Sequence, residues 1–368
     1  MTATSDAILV VQFGSVDEVL MTTPVAMAIR KQRPDAHLIW LVSEDTRHVI
    51  DNDDIADETW TVPTQPNPAS VIEQTWSLRR HISSDSIPHI LYGEATTSRG
   101  LRLISWLLRL TCPGRHVCLA APPNRTYTRG IIPRRVSAGI RVARECCVGE
   151  SIPAVMRHFT DRQLELLTSL EIASPPVRWP RFFTESAEHW SHQIRATLPP
   201  QPLMMMHSGG VTATAVWPSD RFASTARYAR DRYGYQTLVT WSTFEDRLRA
   251  EQIVSLSQDA AQLAPPTTFS SMAALTQIAD VVVAGDSTPL HLAVAADTST
   301  IAIYGATSAI RTGPYDRNVL CGRQISGRKI TGTAAMGFVD VQHVCAQLDE
   351  MQNQNQIESH STAFKRTA

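Results

Sequence analysis

Ile8-Leu-Val-Val-Gln-Phe-Gly14-Ser15-Val16-Asp17-Glu18-Val19-Leu20-Met21-Thr22-Thr23-Pro24 is the stretch whose reading decides the fold. Ile8–Phe13 is a short apolar run suited to a strand buried on both faces. Gly14-Ser15 interrupts it, and Val19–Arg30 then carries apolar residues at helical spacing. Strand, glycine turn and helix make the opening of a βαβ unit, and the alternation repeats outward from there. Strands are expected at His37–Val42, Thr59–Val62 and His89–Tyr92, with helices at Ala69–Arg80 and Ser98–Leu110. Pro175, Pro176 and Pro180 break the pattern over Ser174–Pro180. A helix at Glu185–Ala196 follows, and Pro199-Pro200-Gln201-Pro202 breaks the pattern again. Proline clusters of this kind suit an interdomain connection.

A second alternating series begins beyond them. Leu203–Met206, Gln236–Thr240, Asp280–Ala284 and Ser299–Tyr304 read as strands. Arg221–Arg232, Phe244–Leu256, Ser271–Ala279 and Leu290–Ala296 read as helices. Alternation of strand and crossover helix predicts parallel sheets. The expected fold class is therefore α/β: two Rossmann-like domains with parallel sheets facing each other across a cleft. The expected boundaries are 1–180, 181–340 and 341–368. The last piece is a helix over Asp340–Met351 that packs across the junction, followed by a polar tail from Asn353 that frays.

Composition narrows the function classes. The chain has 368 residues, 43% hydrophobic and 19% charged, with a net charge of -1. That length suits two domains, and a near-neutral balance argues against a protein that coats nucleic acid. The longest apolar runs, such as Ile278–Ala284, fall far short of the roughly 18 residues of a membrane span. Met1–Asp6 carries no basic cluster ahead of its apolar segment, so no secretory signal is expected. Cys112, Cys118, Cys146, Cys147, Cys321 and Cys345 include no C-x-x-C pair and read as reduced thiols of a cytoplasmic protein. Of the 34 basic residues all but Lys31, Lys329 and Lys365 are arginines. Arg99, Arg102, Arg109, Arg115, Arg125, Arg129, Arg134, Arg135, Arg141 and Arg144 fall in one stretch without a single Asp or Glu. Such a block reads either as a site for an anionic partner or as a solvated face.

Several cofactor motifs are missing. The turn Phe13–Glu18 lacks the G-x-G-x-x-G that admits a dinucleotide pyrophosphate. No P-loop, H-E-x-x-H or G-x-S-x-G occurs, and no Cys/His cluster suggests a transition metal. What remains is four segments placed just past strand ends, where a doubly wound domain meets its ligands. Gly14–Glu18 puts two carboxylates at a helix N-terminus, where the dipole favours negative charge. They suit either a general base or a helix cap. His207-Ser208-Gly209-Gly210-Val211-Thr212-Ala213-Thr214 offers backbone amides and hydroxyls for a pyrophosphate. Gly285-Asp286-Ser287-Thr288-Pro289-Leu290-His291 brings amides and hydroxyls to a helix start, with Pro289 suited to the first turn. Tyr304-Gly305-Ala306-Thr307 and Arg311-Thr312-Gly313-Pro314-Tyr315 form the fourth.

In this order the segments resemble the ADP-heptose:lipopolysaccharide heptosyltransferases of glycosyltransferase family 9. Ile8–Pro24 looks like that family's strand–GSxGDVLxTTP–helix opening. Gly285–Ala293 looks like its D-[ST]-G-x-x-H-L loop, and Tyr304–Thr307 with Arg311–Tyr315 like its FGPT…RTGPY loop. The resemblance spans most of Ala7–Tyr315. It implies the GT-B architecture, with acceptor binding in the N-terminal domain and nucleotide-sugar binding in the C-terminal one. It further implies inversion at the anomeric carbon without a metal or other cofactor. The implied base is Glu18, with Asp17 beside it as the alternative. The implied donor contacts are His207, Ser208, Gly209, Gly210, Thr212, Thr214, Asp246 (or Glu245), Asp286, Ser287, Thr288, Pro289, Leu290, His291 and Thr307. Gly14, Ser15, Thr22, Arg99, Arg134 and Arg135 are assigned to an anionic glycolipid acceptor. Peripheral contact with the cytoplasmic face of the inner membrane goes with such an acceptor, and no nucleic-acid partner is implied.

Three departures from the family pattern stand out. Asp17-Glu18 replaces Gly-Asp, Thr288 replaces a glycine, and Ala215-Val216 stand where many members carry a basic residue before Trp217-Pro218. Two other readings follow from them: a non-catalytic GT-B protein that binds nucleotide or glycan, and a GT-B transferase for another surface glycan or metabolite.

Overall fold

The computed structural model describes residues 7–51, 55–82, 89–94, 103–105, 107–109, 115–119, 144–148, 157–173, 176–210, 216–305, 307–315, 336 and 339–367. The chain divides into two compact units, Met1–Arg181 and Phe182–Ala368.

In the first unit the sheet is made by β1 (Ala7–Val11), β2 (His37–Ser43), β3 (Glu58–Val62), β4 (His89–Tyr92), β5 (Arg115–Leu119) and β6 (Arg144–Val148). All are parallel, in the order β3-β2-β1-β4-β5-β6. This is the doubly wound order, in which the chain reverses direction between β1 and β4. Ile8, Leu9 and Val10 have no exposed surface, as expected of a strand covered on both faces. Each such aliphatic side chain contributes about 1.5–3 kcal/mol relative to exposure.

Helix α1 (Val16–Gln32) starts three residues before the apolar pattern does, because Ser15 and Glu18 form a capping box. Pro24 lies inside α1 and has no amide to give; Thr23 Oγ1 donates instead to Leu20 O at 2.8 Å, the carbonyl that an amide at position 24 would have met. The other described helices of this unit are α2 (Pro68–Ile82) and the short α3 (Phe159–Leu164). The expected helix over 98–110 is helical at 103–105 and 107–109, and its remaining positions lie outside the described residues. Strands β5 and β6 had not been expected. Their sequences, Arg-His-Val-Cys-Leu and Arg-Glu-Cys-Cys-Val, open on charged or polar residues that hide the strand signal.

The second unit contains β7 (Leu203–His207), β8 (Gln236–Thr240), β9 (Ala261–Leu263), β10 (Val281–Gly285) and β11 (Ser299–Ile303). They form a parallel sheet in the order β11-β10-β7-β8-β9, so the reversal falls between β7 and β10. Around it lie α4 (Glu185–Thr197), α5 (Ser219–Tyr233), α6 (Phe244–Leu256), α7 (Phe269–Ile278), α8 (Thr288–Ala295) and α9 (Ala309–Thr312). The final helix, α10 (Val341–Thr367), continues through the polar tail.

Val344, Leu348 and Met351 of α10 belong to the core cluster of the second unit with Trp217, Phe222 and Ala226. Tyr228 Oη and Tyr233 Oη each donate to Asp349 at 2.7 Å, which fastens α10 to α5. Those bonds push the Tyr228 phenol up to about 12. Trp217 is 1% exposed, donates its indole N–H to Val339 O at 2.8 Å and meets Phe222 edge to face at 5.0 Å. It therefore anchors the return from the loop after β7. Among the described residues no helix is long and apolar enough to cross a membrane.

Candidate functional site

The reversal point of the first unit is built from the ends of β1 and β4. Gln12 is fully buried and donates through Nε2 to Glu94 O at 3.0 Å. Gln163 on α3 donates to the same carbonyl at 3.2 Å and accepts the Glu94 amide at 3.1 Å. Gly93 N–H donates to Val11 O at 3.0 Å. A Cβ on Gly93 would collide with the Gln12 carboxamide, so only glycine lets these loops close together. Behind them Arg162, 1% exposed, lies 3.7 Å from Glu94 Oε2 and 2.8 Å from Glu165 Oε2. A buried guanidinium flanked by two carboxylates meets the requirement that an interior charge be paired.

At the N-terminus of α1, Ser15 N–H donates to Glu18 Oε2 at 2.9 Å and Glu18 N–H to Ser15 Oγ at 3.2 Å. A Cβ on Gly14 would meet Glu18 Oε2 at 2.5 Å and Gln12 Nε2 at 3.3 Å. Gly14, Glu18 and Gln12 thus form one tight group at the end of β1. Asp17 is 7% exposed, whereas Glu18 is half-buried. Capping and access therefore coexist on Glu18. Thr22 is buried and its hydroxyl donates to Glu18 O at 2.7 Å, so it lies on the inner side of α1, one turn below the loop. Arg99, Arg134 and Arg135 lie outside the described residues. Two other members of the arginine-rich stretch have roles inside the unit. The Arg109 guanidinium stacks 4.4 Å from the Tyr92 ring centroid, and Arg115 donates to Ser169 O at 3.1 Å.

In the second unit, His207, Ser208 and Asp246 come together. Ser208 Oγ is 2.8 Å from Asp246 O and 3.2 Å from Thr240 O. Thr240 Oγ1 donates to Met206 O at 3.2 Å, so it accepts from His207 Nδ1 at 3.1 Å. His207 therefore carries its proton on Nδ1 and turns Nε2 toward Gly209. A Cβ on Gly209 would lie 2.8 Å from both His207 Nε2 and Asp246 Oδ2, which leaves room for glycine alone. Burial pushes the His207 imidazole down to about 4, with Asp246 opposing and Arg249 adding to the shift. The ring is neutral at pH 7.

Asp246 is 6% exposed and closes a capping box with Thr243 on α6. Although burial resists its charge, hydrogen bonds from Thr243 and Arg249 hold its carboxyl below the usual value. Glu245, the alternative, is exposed.

Past β10, Asp286 and Ser287 are 5% and 4% exposed. Ser287 is the N-cap of α8, yet its hydroxyl donates to Gly285 O at 3.0 Å and caps nothing. Asp286 accepts from Thr312 Oγ1 at 3.1 Å and from Tyr304 Oη at 3.3 Å, and lies 3.6 Å from His291 Nε2. The loops after β10 and β11 are thereby joined through one carboxylate. Pro289, Leu290 and His291 are buried and Thr288 is half-buried. Thr307 is half-buried too, with its Oγ1 shielded from solvent and without a hydrogen-bond partner among the described residues. Gly210 follows Gly209 and is half-buried; Thr212 and Thr214 lie outside the described residues.

Sequence reasoning passed over Glu94, Arg162, Thr240 and Arg249, and it quoted Gln12, Tyr304 and Thr312 within their segments without giving them a role. Gln12 and Thr240 left a signal, since each is a polar residue closing a buried strand. Arg249 left none, because it acts from the helix beyond the loop that was read.

Two doubly wound parallel sheets joined in one chain define the GT-B class of glycosyltransferase fold, and solved structures bear this out. The structure of a family 9 glycosyl transferase from Veillonella parvula matches with a TM-score of 0.73 at 16% identity, covering 95% of this chain and 97% of that one. That of Escherichia coli ADP-heptose lps heptosyltransferase II matches with a TM-score of 0.70 at 15% identity, covering 95% and 99%. Among curated proteins, Lipopolysaccharide heptosyltransferase 3 of Escherichia coli is 20% identical over 331 residues, 82% of this chain and 84% of that protein. The family model described as Glycosyltransferase family 9 (heptosyltransferase) matches residues 151–332. The chain thus shares the fold of solved family 9 transferases, and just under half of it matches the family's own model.

Proposed function

We propose that the protein transfers a heptose from a nucleotide diphosphate, ADP-heptose in the first instance, to a lipopolysaccharide inner-core acceptor on the cytoplasmic side of the membrane. The observation that carries the reading is the contrast between the two loop sets. A carboxylate stands at the end of β1 in one unit, and an uncapped helix start stands beside the Ser208–Gly210 turn in the other. The family-model match over residues 151–332 and the names of the relatives support the sugar and acceptor class.

In this reading Glu18 accepts the proton of the acceptor hydroxyl as that oxygen attacks the anomeric carbon. The Ser15 amide fixes one carboxylate oxygen, so the base is oriented before substrate arrives. Asp17, more deeply buried, shapes the turn. The nucleotide diphosphate leaves toward the Ser208–Gly210 turn and the N-terminus of α8, where amides and the helix dipole favour anions. His207 is neutral and adds no charge there. Displacement at the anomeric carbon from the face opposite the diphosphate inverts its configuration. Charge neutralisation by amides and side chains makes a metal unnecessary, and no other cofactor is required.

The acceptor is anionic, and Arg99, Arg134 and Arg135 are assigned to it because guanidinium forks match phosphate and carboxylate. Peripheral contact with the inner membrane face follows from such an acceptor.

The test is turnover. The protein is incubated with ADP-heptose and a heptose-acceptor lipid, with GDP- and UDP-sugars as competitors and EDTA in a parallel arm. Transfer from ADP-heptose with inverted product by NMR, undiminished by EDTA, is the expected result. Preference for another donor, retained configuration or loss with EDTA each contradicts the corresponding part. Charge reversal at Arg134 and Arg135 should raise acceptor KM at least tenfold with donor KM unchanged, and an unchanged acceptor KM contradicts the acceptor assignment.

A further inference from the structure

Arg249 sits one turn into α6, on the face above Asp246. Side chains on a helix lean toward its N-terminus, so a guanidinium at this position reaches the strand-end loops that α6 starts from. It does so here: Nε donates to Ser208 O at 3.2 Å and Nη2 bonds the Asp246 carboxylate. Arg249 is thus the described cation in direct contact with the turn after β7. Its side chain is 32% exposed, and Nη1 has no partner among the described residues. Two of the five guanidinium N–H groups are used, and three remain.

The neighbouring cations are committed elsewhere. Arg221 donates to Val339 O at 2.5 Å, while Arg247 lies over the Trp241 ring and pairs with Glu251. His207, the other basic group at the turn, is neutral. Asp246 and Asp286 bring negative charge to the same strand ends. Among the described residues, Arg249 is the cation in hydrogen-bond contact with the Ser208–Gly210 turn, so it is the group there able to offset these carboxylates when a diphosphate is placed on the turn.

We propose that Arg249 is a diphosphate-binding residue of the donor site: its guanidinium, braced by Ser208 O and Asp246, offers Nη1 to the phosphate oxygens and carries part of the charge on the leaving nucleotide diphosphate. The proposal rests on the reading that the second unit binds the nucleotide. The brace fixes the planar fork before the ligand arrives, so little rotamer freedom is lost on binding. A lysine would keep the charge but not the three-point geometry.

The experiment is calorimetric titration of the full-length wild type, R249Q and R249K with ADP, AMP and adenosine, alongside thermal unfolding of each. Hydrogen bonds to charged groups predict an ADP affinity about 10- to 100-fold weaker in R249Q, a smaller loss for AMP, and adenosine within about threefold of wild type. R249K should fall between wild type and R249Q for ADP. Equal losses for all three ligands would make Arg249 a strut for Asp246 and overturn the proposal, as would unchanged ADP binding in R249Q. Should R249Q unfold, R249K decides: ADP weakened with adenosine unchanged supports the proposal, and any other pattern overturns it. A wild type that binds adenosine but gains nothing from the phosphates overturns it too. A wild type that binds none of the three fails at the earlier step, the nucleotide-binding reading itself.

Discussion

The two units wind their strands in the same order, yet the helices that leave their reversal points begin in opposite ways. In the first unit α1 is closed by its own side chain: Glu18 caps Ser15 and Ser15 caps Glu18. In the second, Ser287 occupies the N-cap of α8 and turns its hydroxyl back to Gly285 O. A helix start that a protein caps with its own carboxylate already holds its negative charge. One that forgoes the cap keeps its dipole for an anion from outside. The surroundings differ in the same sense. The first reversal point contains a buried Arg162 between carboxylates, the second a buried imidazole without charge.

The largest expected effect probes that ionic layer. Arg162→Met leaves the buried Glu94 carboxylate without its cation, while Glu165 keeps Arg157, and should cost the first unit about 3–5 kcal/mol, read as the shift of its urea transition. A loss under about 1 kcal/mol would erase the distinction between the two reversal points.

Next comes His207. Its folded-state pKa lies near 4, below the ordinary 6.5, so between these values the unfolded chain takes up a proton that the folded chain refuses. The contribution is intact above about pH 6.5 and is lost as pH falls toward 4. At 1.36 kcal/mol per unit this amounts to about 3 kcal/mol. His207→Gln should flatten that part of the stability–pH curve, and an unchanged slope contradicts a buried neutral ring.

The smallest effect compares two glycines. Gly209→Ala pushes a Cβ against a fixed ring and carboxylate and should cost about 1–3 kcal/mol, together with donor affinity. Gly14→Ala meets both the carboxylate and the Cβ of Glu18. It displaces that carboxylate and should cost more kcat than Gly209→Ala. Equal behaviour in both assays would remove the division of labour between the loops.

Much of the fold was legible in the sequence, for physical reasons that differ by element. Gln236–Thr240 and Phe244–Leu256 carry uninterrupted periodicity between clear breakers, and their structural bounds coincide with the expected ones. The start of α1 was misplaced by three residues because a capping box holds helix where no apolar residue marks it. β9 has three residues, too few for any period to show. At the sites, loops past strand ends could be found because glycine and hydroxyl runs signal tight backbone. What stayed hidden is coupling over distance: Gln12 to Glu94, Asp286 to Thr312, and Arg249 back to Ser208 each depend on neighbours that only the sheet order brings together.

The central claim is that Glu18 serves chemistry beyond its cap, and Glu18→Gln separates the two roles because glutamine at this position also completes a capping box. Turnover of ADP-heptose and ADP affinity are measured on the same preparation, with the melting temperature as control. The account predicts an unchanged melting temperature, an unchanged ADP Kd and a kcat lowered about 10²- to 10⁴-fold. A variant that turns over at the wild-type rate would leave Glu18 as a helix cap and nothing more.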